Sequence, residues 1–154
     1  MEEKDIAFSF TRYARVKEDG TETAILSKVP PIITYDDLMK QCVIGCLTVM
    51  LDREKIGELR MVNIRTRQDY AFWLKILRKG YRAYGIHEVL AHYRLVEGSI
   101  SSNKIQAAKR NWYVYRHIED HHFLRAAWYF ANYALRSIFD VIRHKFASKK
   151  SNKN

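Results

Sequence analysis

Arg67-Gln68-Asp69-Tyr70 opens a segment, RTRQDYAFWLKILRKGYRAYGI at 65–86, in which one carboxylate stands at the mouth of an apolar run. From Tyr70 to Leu77 only Lys75 is charged, and the run stops at Lys79-Gly80. This pattern predicts a buried helix over about 68–79, closed by a glycine C-cap. A carboxylate in its first turn meets the positive end of the helix dipole, so helix chemistry alone explains Asp69. The same position also suits a general base: a rigid carboxylate at the edge of a pocket, within reach of a hydroxyl proton.

Other constellations carry less. His87-Glu88-Val89-Leu90-Ala91-His92 resembles a zinc-protease motif, but its histidines are five apart rather than four and the segment reads as strand. His117, His121 and His122 near Glu119 and Asp120 offer metal-ligating types one helical turn apart; a solvated helix junction explains them as well. Cys42 and Cys46 are the only cysteines; a C-x-x-x-C pair with no second pair is a poor zinc site and two thiols make no disulfide framework, so free thiols in a reducing compartment are expected. No glycine-rich phosphate loop is present, and no Ser or Cys has a nucleophile context. Trp112, Tyr113, Tyr115, Trp128, Tyr129, Phe130 and Tyr133 recur at helical spacings, which suits a core or membrane-facing stripe better than base stacking.

The elements that must position these residues follow from periodicity. Ile6–Val16 alternates as a strand, KEDG at 17–20 turns, and 21–27 returns. Pro30-Pro31 breaks the chain, and Thr34 is placed to cap a short helix over 35–41. The apolar run 43–51 reads as a buried strand carrying Cys46 and Thr48, and 52–57 as a turn. After the 68–79 helix, 82–86 and 89–95 read as strands, 97–103 as a polar loop and 103–146 as helix with a break near 120–122. The expected class is α/β, strands first and helices last. The 154 residues are 47% hydrophobic, enough for a real core, and the net charge is +10. That charge suits nucleic acid, an anionic lipid surface or a phosphorylated ligand without choosing among them. The basic residues are spread along the chain and form no nucleic-acid motif. MEEKDIAFSF is no secretory signal, and no run reaches the roughly 18 apolar residues of a spanning helix.

VMLDREKIGELR at 49–60 and TRQDYAFWLKILRKGYRAYGIHEVLAHYRLVEGSISSNK at 66–104 resemble the C-terminal half of family-2 glycosyltransferases with the GT-A fold. The likeness is to the bacterial type that builds teichuronic-acid and other surface polysaccharides. The motif "QDY-x-x-W-L" covers Gln68, Asp69, Tyr70 and Trp73, and "YR-x-x-x-x-S-x-S" covers Tyr93, Arg94, Ser99 and Ser101. The resemblance implies an inverting transfer from a nucleotide sugar to a saccharide or lipid-linked acceptor, with Asp69 as base. Arg67 and Gln68 would orient it or touch acceptor and diphosphate. Tyr70 and Trp73 would bind substrate, Arg94 would meet a phosphate oxygen, and Ser99 and Ser101 would close over the nucleotide. Cys46 and Thr48 belong either to the core or to the sugar pocket. A divalent ion, Mn or Mg, is expected for the family, and its D-x-D ligands are absent from this chain. Val96 stands where many relatives carry a histidine. The nucleotide-binding half of such a protein, on the order of 100 residues, would precede this chain, leaving it inactive alone.

The resemblance divides the chain into an acceptor-side part at 1–101, a helical extension at 102–147 and a basic tail at 148–154. FLRAAWYFANYALRSIFDVIRHKF at 123–146 has a broad apolar face and a basic end, the pattern of a helix lying on an anionic membrane surface through residues 123–150 or packing on the core. Two alternatives from other classes stay open: a basic nucleic-acid-binding module, and a non-catalytic membrane-surface or interaction module. The family implies no nucleic-acid partner and a cytoplasmic protein, either free or peripheral at the inner face of the cell membrane.

Overall fold

The structure, a computed structural model, describes residues 5–96 and 104–151, with side chains of the last helix described through Phe139. Two long strands form its centre. β1 (Phe8–Val16) and β5 (Ala83–Arg94) run parallel along their whole lengths. β2 (Glu22–Leu26) returns antiparallel on the other edge of β1 at Ala14–Val16. β4 (Val49–Leu51) pairs with Phe8–Phe10 on β1, and the two-residue β3 (Ile32–Ile33) closes the far edge of β5. The order is β2-β1-β5-β3, with β4 beside β1.

The helices cover this sheet for reasons visible in their sequences. Thr34 caps α1 (Tyr35–Lys40) in a reciprocal capping box with Asp37. α3 (Gln68–Arg78) buries Tyr70, Ala71, Phe72, Trp73, Leu74, Ile76 and Leu77. Gly80, at φ +97°, then turns the chain straight into β5. α4 (Lys104–Tyr113) runs into a π-helical turn at Val114–Ile118, and α5 (Phe123–Ser151) follows a break at 119–122. Phe8 and Phe10 of β1, Leu38 and Met39 of α1, the inner face of α3, Tyr115 of the π turn and Ala126 and Tyr129 of α5 share one hydrophobic core. The helical end is thus packed into the same core as the sheet.

Three expectations change. The apolar run 43–51 is strand only at 49–51; Cys46–Thr48 is a 3-10 turn, held by the Thr48 N–H and hydroxyl on the Gly45 carbonyl at 3.0 and 2.8 Å. A β carbon at Gly45 would come within 2.9 Å of the Tyr13 ring, so the chain bends here to lie against β1. The expected turn at 52–57 holds a one-turn helix, α2 (Arg53–Ile56), capped by Asp52. The strands expected at 82–86 and 89–95 are one strand: opposite consecutive residues Thr11, Arg12 and Tyr13 stand Ile86, Val89 and Ala91, so two bulges absorb the break. Ser99, Ser101 and the loop around them lie outside the described residues.

Candidate active site

The entry to α3 is built around Arg67. Its backbone sits in the left-handed region, φ 64° and ψ 17°, a conformation that costs a non-glycine residue on the order of 1 kcal/mol or more and clusters at functional sites. This kink sets Gln68 and Asp69 into the first turn. Asp69 Oδ1 accepts the Tyr70 backbone N–H at 2.8 Å, a charge-assisted bond at the positive end of the helix. Among the described residues nothing bonds its second oxygen. Asp69 is half-buried and Gln68 exposed. The carboxylate is therefore held by its own helix and keeps one oxygen for a ligand.

Behind it, Tyr70 is 1% exposed and its hydroxyl donates to the Leu38 carbonyl at 3.2 Å. Tyr115 is equally buried and donates to the Met39 carbonyl at 2.8 Å. Tyr70 thus anchors the α3 entry, and Tyr115 the π turn, to the end of α1. Trp73 is 3% exposed and stacks against Phe8, ring centroids 5.3 Å apart. In this structure Tyr70 and Trp73 are buried core residues that fix the helix.

Two groups that local patterns left apart arrive beside Asp69. Burial pushes the Cys42 thiol up to about 11, against the opposing pull of the Arg67 guanidinium beside it. Burial and then the Asp69 carboxylate raise the thiol of Cys46, which is exposed on the 3-10 turn. Raised thiols of this kind are poor nucleophiles at neutral pH. Asn111, one turn before Tyr115, is fully buried, with both amide atoms unpartnered among the described residues. Arg94 is exposed at the end of β5, opposite Val16. No hydrogen bond or ion pair joins it to residues 67–69 among the described residues.

Two clefts flank this region. One, about 110 Å³, runs between Tyr13, Ser27 and Gln41–Val43. The other, about 510 Å³, lies between the segment leading into Arg67 and α4, lined by Asn63, Arg65, Thr66, Lys109, Arg110 and Tyr113. The α4 residues were out of reach of local pattern reading, because nothing in the sequence says that α4 returns beside residues 63–66.

The donor set does not fit a divalent ion: no group of three or more His, Cys, Asp or Glu residues is placed to hold one among the described residues. Asp37 serves the α1 cap, and Asp36 accepts from Lys40 and from the Tyr129 hydroxyl. At the junction near 119–122 Asp120 and His122 are exposed, His121 is half-buried and Glu119 is buried. The Glu119 side chain is 1% exposed and accepts from the Tyr35 hydroxyl at 2.6 Å and from Arg78 at 3.2 Å, while His121 Nε2 lies 3.0 Å from the same hydroxyl.

No family model matches the chain. Individual proteins do, and all those named here are glycosyltransferases. Over 138 residues the chain is 54% identical to a protein named as a teichuronic acid biosynthesis glycosyltransferase, TuaG of Bacillus subtilis, which covers 90% of this chain and 55% of that relative. Over 149 residues it is 34% identical to the UDP-Glc:alpha-D-GlcNAc-diphosphoundecaprenol beta-1,3-glucosyltransferase WfaP of Escherichia coli, covering 96% and 56%. A second Escherichia coli protein named for the same activity, WfgD, is 31% identical over 154 residues, covering 99% and 58%. The chain is therefore homologous to glycosyltransferases. It spans about half the length of the curated relatives it matches.

Proposed function

We propose that this chain is the acceptor side of an inverting, family-2 glycosyltransferase of GT-A type, which moves a sugar from a nucleotide donor to a lipid-linked saccharide on the cytoplasmic face of a membrane. The observation that carries the reading is Asp69: one oxygen held by the helix it opens and the other without a bond among the described residues, three positions after Thr66 of a basic cleft. In an in-line displacement the acceptor hydroxyl attacks the anomeric carbon and must shed its proton. A carboxylate within hydrogen-bond reach takes it, a contribution of about 10²–10⁴-fold. The strained Arg67 backbone and the Tyr70–Leu38 bond hold that carboxylate in place, which is what positioning requires. Gln68, exposed beside it, is suited to an acceptor hydroxyl. Arg94 and the segment bearing Ser99 and Ser101 are assigned to the donor by the family pattern alone. A divalent ion would need carboxylates from outside this chain, and no step here runs through it.

Membrane attachment is part of the same reading. α5 packs inward through Ala126 and Tyr129 and turns Leu124, Trp128, Leu135, Ile138 and Phe139 outward, each more than half exposed. Arg125 and Arg136 flank that stripe on one side, the arrangement of a helix lying in an anionic interface. No described helix is long and apolar enough to cross a membrane.

The test is transfer itself. A polypeptide joining this chain to the segment that precedes the matching region in its relatives is incubated with UDP- and dTDP-sugars, manganese and a diphosphate-linked N-acetylhexosamine lipid. Formation of a disaccharide lipid with one donor supports the reading. Failure with every donor and acceptor by a folded protein overturns it.

A further inference from the structure

Among the described residues Glu119 is the one buried acidic or basic residue, its side chain 1% exposed. Its Oε2 accepts from the Tyr35 hydroxyl at 2.6 Å and from the Arg78 guanidinium at 3.2 Å. Tyr35 is the first residue of α1 and Arg78 the last of α3. At the other ends of the same helices, the hydroxyl of Tyr70, third in α3, donates to the Leu38 carbonyl near the end of α1. The two helices therefore run antiparallel and are pinned at both ends. The π turn reaches both pins: Tyr115 donates to the Met39 carbonyl beside Leu38, and Glu119 follows four residues later at the start of α1.

A buried carboxylate is not the simplest way to hold two helices, because apolar residues of similar volume often hold them as well or better. What it adds is direction. One oxygen bonds a hydroxyl on α1 and a guanidinium on α3, which fixes how far one helix slides along the other. The slide is felt at the far end of α1, where Leu38 meets Tyr70, and the Tyr70 N–H is the donor to Asp69 Oδ1 at 2.8 Å. A misplacement of about 1 Å at a reacting group costs about a hundredfold in rate. The backbone carries the same signs of constraint at both places. A π bond joins the Glu119 N–H to the Val114 carbonyl at 2.9 Å, and Asp120 takes φ +49°; Arg67, at the mouth of α3, takes φ 64°. Single π turns occur frequently at functional sites, and left-handed non-glycine backbone persists only where its surroundings over-determine it.

We propose that Glu119 is a positioning residue for Asp69: by tying the start of α1 to the end of α3 it sets where Leu38 meets Tyr70, and so holds the first turn of α3 that carries the carboxylate. This rests on Asp69 being the base of the transfer proposed above.

The experiment reads the Tyr70 amide proton resonance of the nitrogen-labelled chain and the kinetics of the joined polypeptide described above. Three variants are compared with wild type. Glu119→Ala removes the acceptor, Glu119→Gln keeps an acceptor oxygen, and Tyr35→Phe loses one hydroxyl and serves if Glu119→Ala does not fold. In Glu119→Ala and Tyr35→Phe the Tyr70 amide is expected to shift upfield by more than the Leu74 and Ile76 amides do, as its charge-assisted bond lengthens. The kcat is expected to fall at least about tenfold with donor KM unchanged, and Glu119→Gln to recover most of both losses. Loss of stability alone would lower the melting temperature and leave the native resonance in place. A Tyr70 amide that stays put in both variants overturns the proposal, and so does a moved resonance with normal kcat. Adding Glu119→Ala to Asp69→Asn is expected to slow turnover no further; an additional loss of about tenfold would place the effect of Glu119 elsewhere and overturn the proposal. If the amide moves while the folded wild-type polypeptide transfers no sugar, the transferase reading falls and the hold of Glu119 on the Asp69 turn stands.

Discussion

Asp69 and Gly85 make opposite demands on their substitutions. Asp69→Asn keeps the size of the side chain and an oxygen for the Tyr70 N–H, so the helix start survives while the proton acceptor is lost. Within a protein that includes this segment, kcat is expected to fall by at least about a hundredfold with an unchanged melting curve; near-normal turnover would leave Asp69 a helix-start residue only. Gly85 has no such freedom. A β carbon there would lie 2.1 Å from the Pro30 carbonyl oxygen and 2.6 Å from a Val29 methyl, and its N–H bonds the Pro31 carbonyl at 3.0 Å. The diproline segment packs flat on β5 at this point, so backbone rather than a flexible side chain would have to move. Gly85→Ala is expected to cost about 1–3 kcal/mol of stability, measured by urea unfolding.

The junction between the π turn and α5 is held as one unit. Tyr35 of α1, Arg78 of α3 and Glu119 meet there, and the His121 ring lies 3.0 Å from the Tyr35 hydroxyl. Burial, reinforced by Arg125, lowers the His121 pKa from its usual 6.5, against the weaker opposing pull of Glu119 and Asp120. The folded state therefore prefers the neutral ring. Its contribution is full above pH about 6.5 and is lost as pH falls through the lowered folded value. The Asp36 carboxylate, lowered by its bond to Lys40, and the Asp52 carboxylate, lowered by the Lys55 N–H, lose their contributions only below the usual 3.8. Thermal melts between pH 7.5 and 5 are expected to show a falling Tm that flattens in His121→Gln. A slope unchanged by that substitution would place the titration elsewhere.

At the scale of the whole molecule, α5 has two faces with different partners. The inward face shares the common core, so removing the helix would damage the fold and could not test attachment. Leu124, Leu135 and Phe139 are 72%, 57% and 66% exposed, so changing all three to glutamate spares the core. Wild-type protein is expected to sediment with anionic vesicles and to be released by salt, since each basic residue near such a surface contributes about 1 kcal/mol that ions screen. The triple variant is expected to stay in the supernatant; equal sedimentation of the two would assign the stripe to another role.

The local sequence was enough for the elements whose signals are local. A single apolar face ending at Gly80 marks α3, Thr34 with Asp37 marks the start of α1, and the alternation of 6–16 marks β1. It was also enough to place Asp69 in the first turn of α3, since a carboxylate at a helix start is written in four residues. The run 43–51 misled because apolar β-branched residues describe burial, whereas the contact of Gly45 with Tyr13 decides the backbone path. The depth of burial of Tyr70 and Trp73 was not legible, since one motif spacing serves equally for a pocket wall and for a core. The meeting of Cys42, Cys46 and Asp69, the buried Glu119 junction and the basic cleft join residues up to 86 positions apart. Such groups have no common period in the sequence. Only the packing of α1, α3, α4 and α5 against one another brings them together.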